Sequence, residues 1–310
     1  MTAAAGATGH RSGILLVDKP QGITSHDVVA RTRRLAGTRK VGHAGTLDPM
    51  ATGLLVLGVN SATRLLTYLV GLDKEYFATI RLGVATTTDD AEGTELSHAT
   101  EASVAAVTER QIGAGIAGLS GEISQVPSSV SAIKVDGKRA YTLAREGQEV
   151  ELASRAVTVS AFELLDSRRD GGFLDLDVRV ECSSGTYIRA LARDLGAMLE
   201  VGGHLTALRR SRIGPFGLAD AAPLESLDVE TALLAPAAAA SRLFPSHHLD
   251  AQQSVDLGHG KRISIDDPAL ASARGPIAAI APDGRLAGLI DIRDGLARPL
   301  VNFPKDEGTA

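Results

Sequence analysis

The first apolar run, Gly13 to Val17, stops at Asp18-Lys19-Pro20 and reads as a strand entering a turn. Thr24 or Ser25 can then cap a helix that has Asp27 in its first turn. Val28, Thr32 and Leu35 fall on one face of this helix, Arg33 and Arg34 face elsewhere, and Gly37 ends it. Thr46 to Gly53 is rich in turn formers. Leu54 to Val59 suits a buried strand, residues 62–72 a helix, and 76–83 an alternating strand. The acidic, Thr-rich stretch 85–100 reads as a loop, followed by a helix near 101–118. Between 126 and 155 the pattern is broken and basic. Strands return at 155–165 and 173–183. A helix at 188–201 places Ile188, Leu191, Leu195 and Met198 at helical spacing and stops at Gly202-Gly203. The Ala-rich stretch 231–241, with Pro236 inside it and Pro245 beyond, reads as a helix–linker joint. Short strands and turns then follow over 246–306. Strands and helices mix without regular βαβ alternation, which points to an α+β fold.

A length of 310 residues suits one large domain, or a large one and a small one. Apolar residues make up 44%, enough for a substantial core, but aromatics are only 3% with no Trp, so aliphatic side chains must fill it. Each of the four tyrosines is therefore worth inspecting. The single cysteine, Cys182, excludes an intrachain disulfide and a multi-cysteine zinc site. It continues the alternation Leu176, Val178, Val180, so it reads as a buried strand position and fits a reducing cytosol.

Met1 to Gly13 lacks an apolar core segment and reads as a disordered tail, not a signal peptide. The longest stretch free of charged residues, Pro49 to Thr63, falls short of the roughly 18 apolar residues of a membrane span. A cytoplasmic protein without membrane contact is expected. The net charge of −5 argues against a nucleic-acid partner until its distribution is considered. Residues 1–81 hold 10 Lys/Arg against 5 Asp/Glu, and Arg209, Arg210 and Arg212 form a second cluster. Local patches, not total charge, set phosphate affinity.

The segment richest in candidate chemistry runs from Val41 to Gly53. Gly42, Gly45 and Gly53 bracket one carboxylate, Asp48, which Pro49 biases toward extended geometry. A carboxylate in such a loop suits nucleophilic attack on a sugar-like or electrophilic carbon, although an aspartate before proline is more often a turn residue. No second carboxylate lies nearby for a two-carboxylate glycosidase. No phosphate loop, dinucleotide fingerprint or metal-ligand spacing is present, so neither a metal nor another cofactor is expected.

Six blocks carry a resemblance. They are GILLVDKPQG at 13–22; GHAGTLDPMATG at 42–53; Lys74-Glu75-Tyr76 before Arg81-Leu82-Gly83; Thr88 to Gly93; Gln125-Val126-Pro127 leading into Ser131 to Lys134, Gly137-Lys138 and Tyr141; and Cys182 to Arg189 before Asp194-Leu195-Gly196 and Leu208-Arg209-Arg210. In this order they resemble the bacterial TruB pseudouridine synthases. The resemblance implies isomerisation of uridine 55 in the TΨC loop of tRNA, with Asp48 as nucleophile and His43 near the substrate. It also implies that Tyr76 stacks on the target base and that Tyr187 and Arg189 line the site.

The expected fold is a pseudouridine synthase fold: a mixed, largely antiparallel central sheet flanked by helices, plus a small β-rich, PUA-like C-terminal domain. The expected organisation is a tail at 1–12, a catalytic domain at 13–230 with an RNA-gripping insertion at about 124–155, a linker at 231–245 and the PUA-like domain at 246–306.

Elementary chemistry agrees with these roles. A uracil inside a structured loop must be extruded before it can react, and an aromatic ring then supplies a stacking platform. Tyr187 and Arg189, two apart in an extended segment, would point to one side. Arg189 could hold Asp48 ionised, and Tyr187 could relay a proton from uracil C5. Attack at ribose C1′ and at uracil C6 remain equally open. Lys19, Arg33, Arg34, Lys134, Lys138, Arg209 and Arg210 are candidate phosphate contacts, with His43 and Leu208 near the substrate. The expected partner is the TΨC stem-loop of tRNA, bound by a monomer with no obligatory protein partner. A tRNA-binding or folding protein with secondary isomerase activity, or a synthase acting on another RNA, is the alternative.

Overall fold

The computed structural model describes residues 11–128, 134–135, 138–139, 152–271, 275–293 and 295–304. They form two compact units, one within residues 1–49, 53–70 and 214–310, the other within 50–52 and 71–213.

In the first unit the strand Gly13–Lys19 pairs antiparallel with Thr52–Val59, from Gly13 opposite Val59 to Lys19 opposite Gly53. Val41–His43 takes the other edge of the same strand at Leu57, Gly58 and Val59. Ala222–Pro223 adds a short parallel partner to Gly13–Lys19. The helix Ser25–Leu35 begins with a capping box: the Thr24 hydroxyl accepts from the Asp27 N–H, and the Asp27 carboxylate accepts from the Thr24 N–H. Val28 and Val29 pack into a core with Leu15, Val17, Leu55 and Leu57. Leu35, expected on that face, is exposed instead. The helix ends there, and its capping residue, Ala36, fills the core at that level.

The stretch 231–245 is docked on this core rather than hanging free. Ile14 and Leu234 exchange two backbone hydrogen bonds, at 2.9 and 2.8 Å, and Pro236–Leu243 is a helix with proline at its start. Beyond it lies a five-stranded sheet in the order Ser246–His248, Ile277–Ile280, Leu286–Arg293, Leu296–Asn302, Ile263–Ser264. This sheet has its own core of Leu249, Leu257, Ile263, Ile277 and Ile290.

The second unit is built on antiparallel strands in the order Gly203–Ile213, Lys74–Leu82, Phe173–Cys182, Arg155–Asp170, Gly121–Gln125. Along Lys74–Leu82 the alternation is strict. Lys74, Tyr76, Ala78, Ile80 and Leu82 are buried, while on the other face Glu75 and Arg81 join charge pairs across strands and the Thr79 hydroxyl donates to the Asp177 carboxylate. The helix Ile188–Met198 buries Ile188, Leu191 and Leu195. Its packing leaves no room for a side chain at Gly196, where a Cβ would lie 2.2 Å from the Gly203 nitrogen. Gly202, at φ +73°, turns the chain back, and its N–H donates to the Gly196 carbonyl at 3.0 Å.

Three expected elements differ. The 85–100 stretch contains a hairpin, Val84–Thr86 with Glu95–His98. The helix expected at 101–118 is broken into Glu101–Ala106 and Glu109–Gly118, because the Thr108 side chain caps a new start by accepting from the Gln111 N–H. The helix expected at 62–72 is a 3-10 turn, Asn60–Leu65, running into a short α-helix, Leu66–Val70. The architecture is the expected α+β class, with a mixed, largely antiparallel sheet, flanking helices and a β-rich C-terminal part.

Candidate active site

Asp48 sits half-buried in the turn after Val41–His43, and the peptides on both sides of it are clamped. Before it, the buried Ser25 hydroxyl accepts from the Leu47 N–H at 2.8 Å and donates to the Leu47 carbonyl at 2.9 Å. After it, the Pro49 carbonyl accepts from the Gly22 N–H at 2.8 Å and from the Lys19 ammonium at 3.4 Å. That ammonium also donates to the carbonyls of Pro20 and Ile23, each at 2.9 Å. His43, just upstream, meets His26 edge to face, with ring centroids 5.6 Å apart.

Lys19 is therefore a buried clamp and not a phosphate contact. Expected to meet phosphate, it is 0% exposed. A buried ammonium must find acceptors, and here they are the carbonyls of the turn that positions the Asp48 loop.

In the second unit Tyr76 lies on the buried face of Lys74–Leu82, opposite Val180 on one side and Arg210 on the other. Burial, with the Arg210 charge adding to it, lowers the neighbouring Lys74 ammonium to about 8. Burial raises the Cys182 thiol to about 11, which fits a structural cysteine. Leu208 and Arg210 share the inward face of Gly203–Ile213. Arg210 is 1% exposed, so it too is a core cation and not the phosphate contact expected. Arg209 points to the other face, half-buried, and donates to the Thr52 hydroxyl at 3.2 Å.

Arg189 is almost fully buried. It donates to the Thr88 carbonyl at 2.8 Å and pairs with Asp90 at 3.3 Å. Asp90 is itself held by the Thr88 hydroxyl at 2.5 Å and the Glu92 N–H at 3.0 Å. Its neighbour Asp89 adopts φ +59°, and burial raises its carboxyl despite Arg193 at 3.2 Å. Tyr187 is the residue just before the helix Ile188–Met198, and Arg189 lies in its first turn. The two-residue alternation of a strand thus does not relate them, which corrects the extended geometry expected. The Tyr187 backbone is gripped by Gln125, whose amide accepts from the Tyr187 N–H at 2.8 Å and donates to its carbonyl at 3.1 Å.

Arg33 and Arg34 are exposed in the last turn of Ser25–Leu35, where cations suit the helix dipole, and Arg33 donates to the Val41 carbonyl at 3.0 Å. Lys134 and Lys138 lie in a two-residue ladder, Lys134–Val135 with Lys138–Arg139. Their side chains, like the rest of 129–151, fall outside the described residues. Among the described residues no three His, Cys, Asp or Glu side chains gather as a metal site.

Residues 33–188 match the family model described as TruB family pseudouridylate synthase (N terminal domain). The chain belongs to the TruB family. Two further TruB models continue the match: the tRNA pseudouridylate synthase B C-terminal domain over 189–245, and tRNA pseudouridine synthase II, C terminal, over 244–304. Among TruB relatives, the tRNA pseudouridine synthase B of Leifsonia xyli subsp. xyli is 64% identical, over 96% of this chain and 98% of its own. That of Arthrobacter sp. (strain FB24) is 57% identical, also over 96% and 98%. A chain from a crystal structure of a Cbf5-Nop10-Gar1 complex superposes with a TM-score of 0.68 at 25% identity, over 96% of this chain and 85% of that one.

Sequence reasoning missed Ser25 as a support of the Asp48 loop in the first unit, and Asp90, Gln125 and Arg193 as supports around Arg189 and Tyr187 in the second. The motif blocks contained Asp90 and Gln125, but nothing in the order of residues said whose backbone or charge they would hold.

Proposed function

We propose that this TruB chain isomerises uridine to pseudouridine at position 55 in the TΨC loop of tRNA, with Asp48 as the nucleophile. The observation that carries this reading is near full-length identity of 64% to a tRNA pseudouridine synthase B. Its support in the structure is an Asp48 loop clamped on both flanks. The target uridine is drawn out of the loop. Tyr76 offers its ring to the extruded base. Asp48 either attacks ribose C1′ and displaces uracil as the glycosidic N1–C1′ bond breaks, or adds to uracil C6 before that bond breaks. Uracil turns, C5 bonds to C1′, and the bond to Asp48 breaks, either as C5 displaces the carboxylate from C1′ or by its elimination from C6. The proton on C5 then leaves through Tyr187, and a proton is returned to N1. No atom is gained or lost, so the reaction needs no co-reactant.

Arg33, Arg34, Arg209, Lys134 and Lys138 are the proposed phosphate contacts, with His43 and Leu208 at the substrate. Arg189 supports the site electrostatically. The organisation proposed is a catalytic domain over 13–230, a linker over 231–245 and a PUA-like domain over 246–306. It is supported by the family-model boundary at 244 and by the separate C-terminal core. We place the protein in the cytoplasm, acting as a monomer. Among the described residues no helix is long and apolar enough to cross a membrane.

The test is to incubate the purified chain with tRNA transcript and map pseudouridine. Wild type should modify position 55, and Asp48→Asn should modify none while binding tRNA within about tenfold, because the amide keeps the shape but is no nucleophile. A wild type that binds tRNA without modifying it would favour the binding-protein alternative, and substantial turnover by Asp48→Asn would remove Asp48 from the central role.

A further inference from the structure

Gln125 is the last residue of the strand Gly121–Gln125 and is 1% exposed. Both ends of its amide meet one residue, Tyr187: Oε1 accepts from the Tyr187 N–H at 2.8 Å and Nε2 donates to the Tyr187 carbonyl at 3.1 Å. The pair reproduces with a side chain what a neighbouring β-strand would do with its backbone. The Tyr187 carbonyl also accepts from the Leu191 N–H at 3.2 Å, so Gln125 adds a second donor on the carbonyl and the acceptor for the N–H. Tyr187 is the residue before the helix Ile188–Met198, at φ −103° and ψ 109°, and no side chain caps that helix.

The same helix reaches back a second time, for Arg193 donates to the Val126 carbonyl at 2.7 Å. The turn at Gln125-Val126 is thereby tied to Tyr187 and to Arg193, six residues further along. The Tyr187 ring lies half-buried, with the Arg155 guanidinium 5.9 Å from its centroid. The Arg155 contact acts on the ring, whereas Gln125 acts on the backbone from which the ring projects.

We infer that Gln125 is a positioning residue for Tyr187, setting the direction of the phenol that receives the C5 proton. This rests on the functional reading above. A proton acceptor must sit within hydrogen-bond reach of the proton it takes, and a misplacement near 1 Å can cost on the order of a hundredfold in rate.

The experiment compares wild type, Gln125→Leu and Gln125→Glu by three measurements: single-turnover rate at saturating tRNA transcript, tRNA Kd, and melting temperature. Gln125→Leu, which loses both hydrogen bonds, should slow the saturated rate by about tenfold to a hundredfold, with Kd within about twofold of wild type. Gln125→Glu keeps an acceptor for the Tyr187 N–H and should recover part of that rate. If Gln125→Leu does not fold, Gln125→Glu carries the same comparison against wild type. A variant that melts earlier yet reacts at the wild-type rate while folded would overturn the inference, leaving Gln125 a packing residue only. So would a loss confined to Kd. Tyr187→Phe separates the two levels. Full activity there would overturn the proton role of Tyr187 and the inference with it, whereas slow Tyr187→Phe beside fast Gln125 variants would overturn the inference alone.

Discussion

Replacing Lys19 with methionine keeps most of the buried stem and deletes the charge. The wild-type ammonium donates to the carbonyls of Pro20 and Ile23 at 2.9 Å and of Pro49 at 3.4 Å. The Pro49 carbonyl would retain the Gly22 N–H at 2.8 Å, but those of Pro20 and Ile23 would lose this donor. An orphaned buried acceptor costs about 1–3 kcal/mol, but these two carbonyls are part-buried and water can replace the lost donor in part, so the two together predict a loss of about 1–3 kcal/mol. The substitution also relieves the desolvation of a fully buried ammonium, which moves the expectation toward the lower half of that range. The assay is the urea midpoint of both proteins, beside tRNA Kd at several salt concentrations. Stability should fall, while the salt dependence of binding by the folded variant stays as in wild type. The saturated rate should fall as well, because the clamp holds the residue that follows Asp48. Unchanged stability, with weaker binding and a log–log salt slope flattened by roughly 0.7 to 0.9, would mean that Lys19 meets a phosphate and that the buried clamp is wrong.

Tyr76→Phe should keep the ring and most of the activity. Tyr76→Leu should lose about 1–3 kcal/mol of stacking, read as a lower single-turnover rate at subsaturating tRNA, and should also melt earlier because the residue is buried; early melting with an unchanged rate would assign Tyr76 to the core alone. Lys74 releases its proton at about 8 when folded but near 10.5 when unfolded. Between those values the unfolded chain binds more protons, so raising pH favours the fold. Wild type should therefore gain stability relative to Lys74→Met as pH rises from 8 toward 10.5, measured by urea midpoints, and a flat difference would contradict the burial of a titrating amine. Reversing the charge of Arg33 and Arg34 together should flatten the salt slope of tRNA binding and leave the saturated rate nearly unchanged; an unaltered slope would place the RNA on another face.

The order of residues was enough to identify the α+β class, the family motifs, the Asp48 turn and the burial of Cys182. Each of these depends on local spacing. Period-two alternation carried Cys182 inward with Leu176, Val178 and Val180. Turn formers around Asp48 marked its loop whatever surrounded it. The Leu35 and 101–118 readings failed on the same local logic, because where a helix stops is decided by capping and by what already fills the core.

Only the tertiary structure decided what the cations and amides do. Lys19 and Arg210 look in sequence like any phosphate contact, since a long basic side chain is equally compatible with water and with a cage of carbonyls. The acceptor at Pro49 lies 30 residues from Lys19, the Thr88 carbonyl lies 101 from Arg189, and Tyr187 lies 62 from Gln125. Hydrogen-bond partners at such separations follow from which strands and helices pack together, and side-chain periodicity says which residues share a face but not what that face will meet.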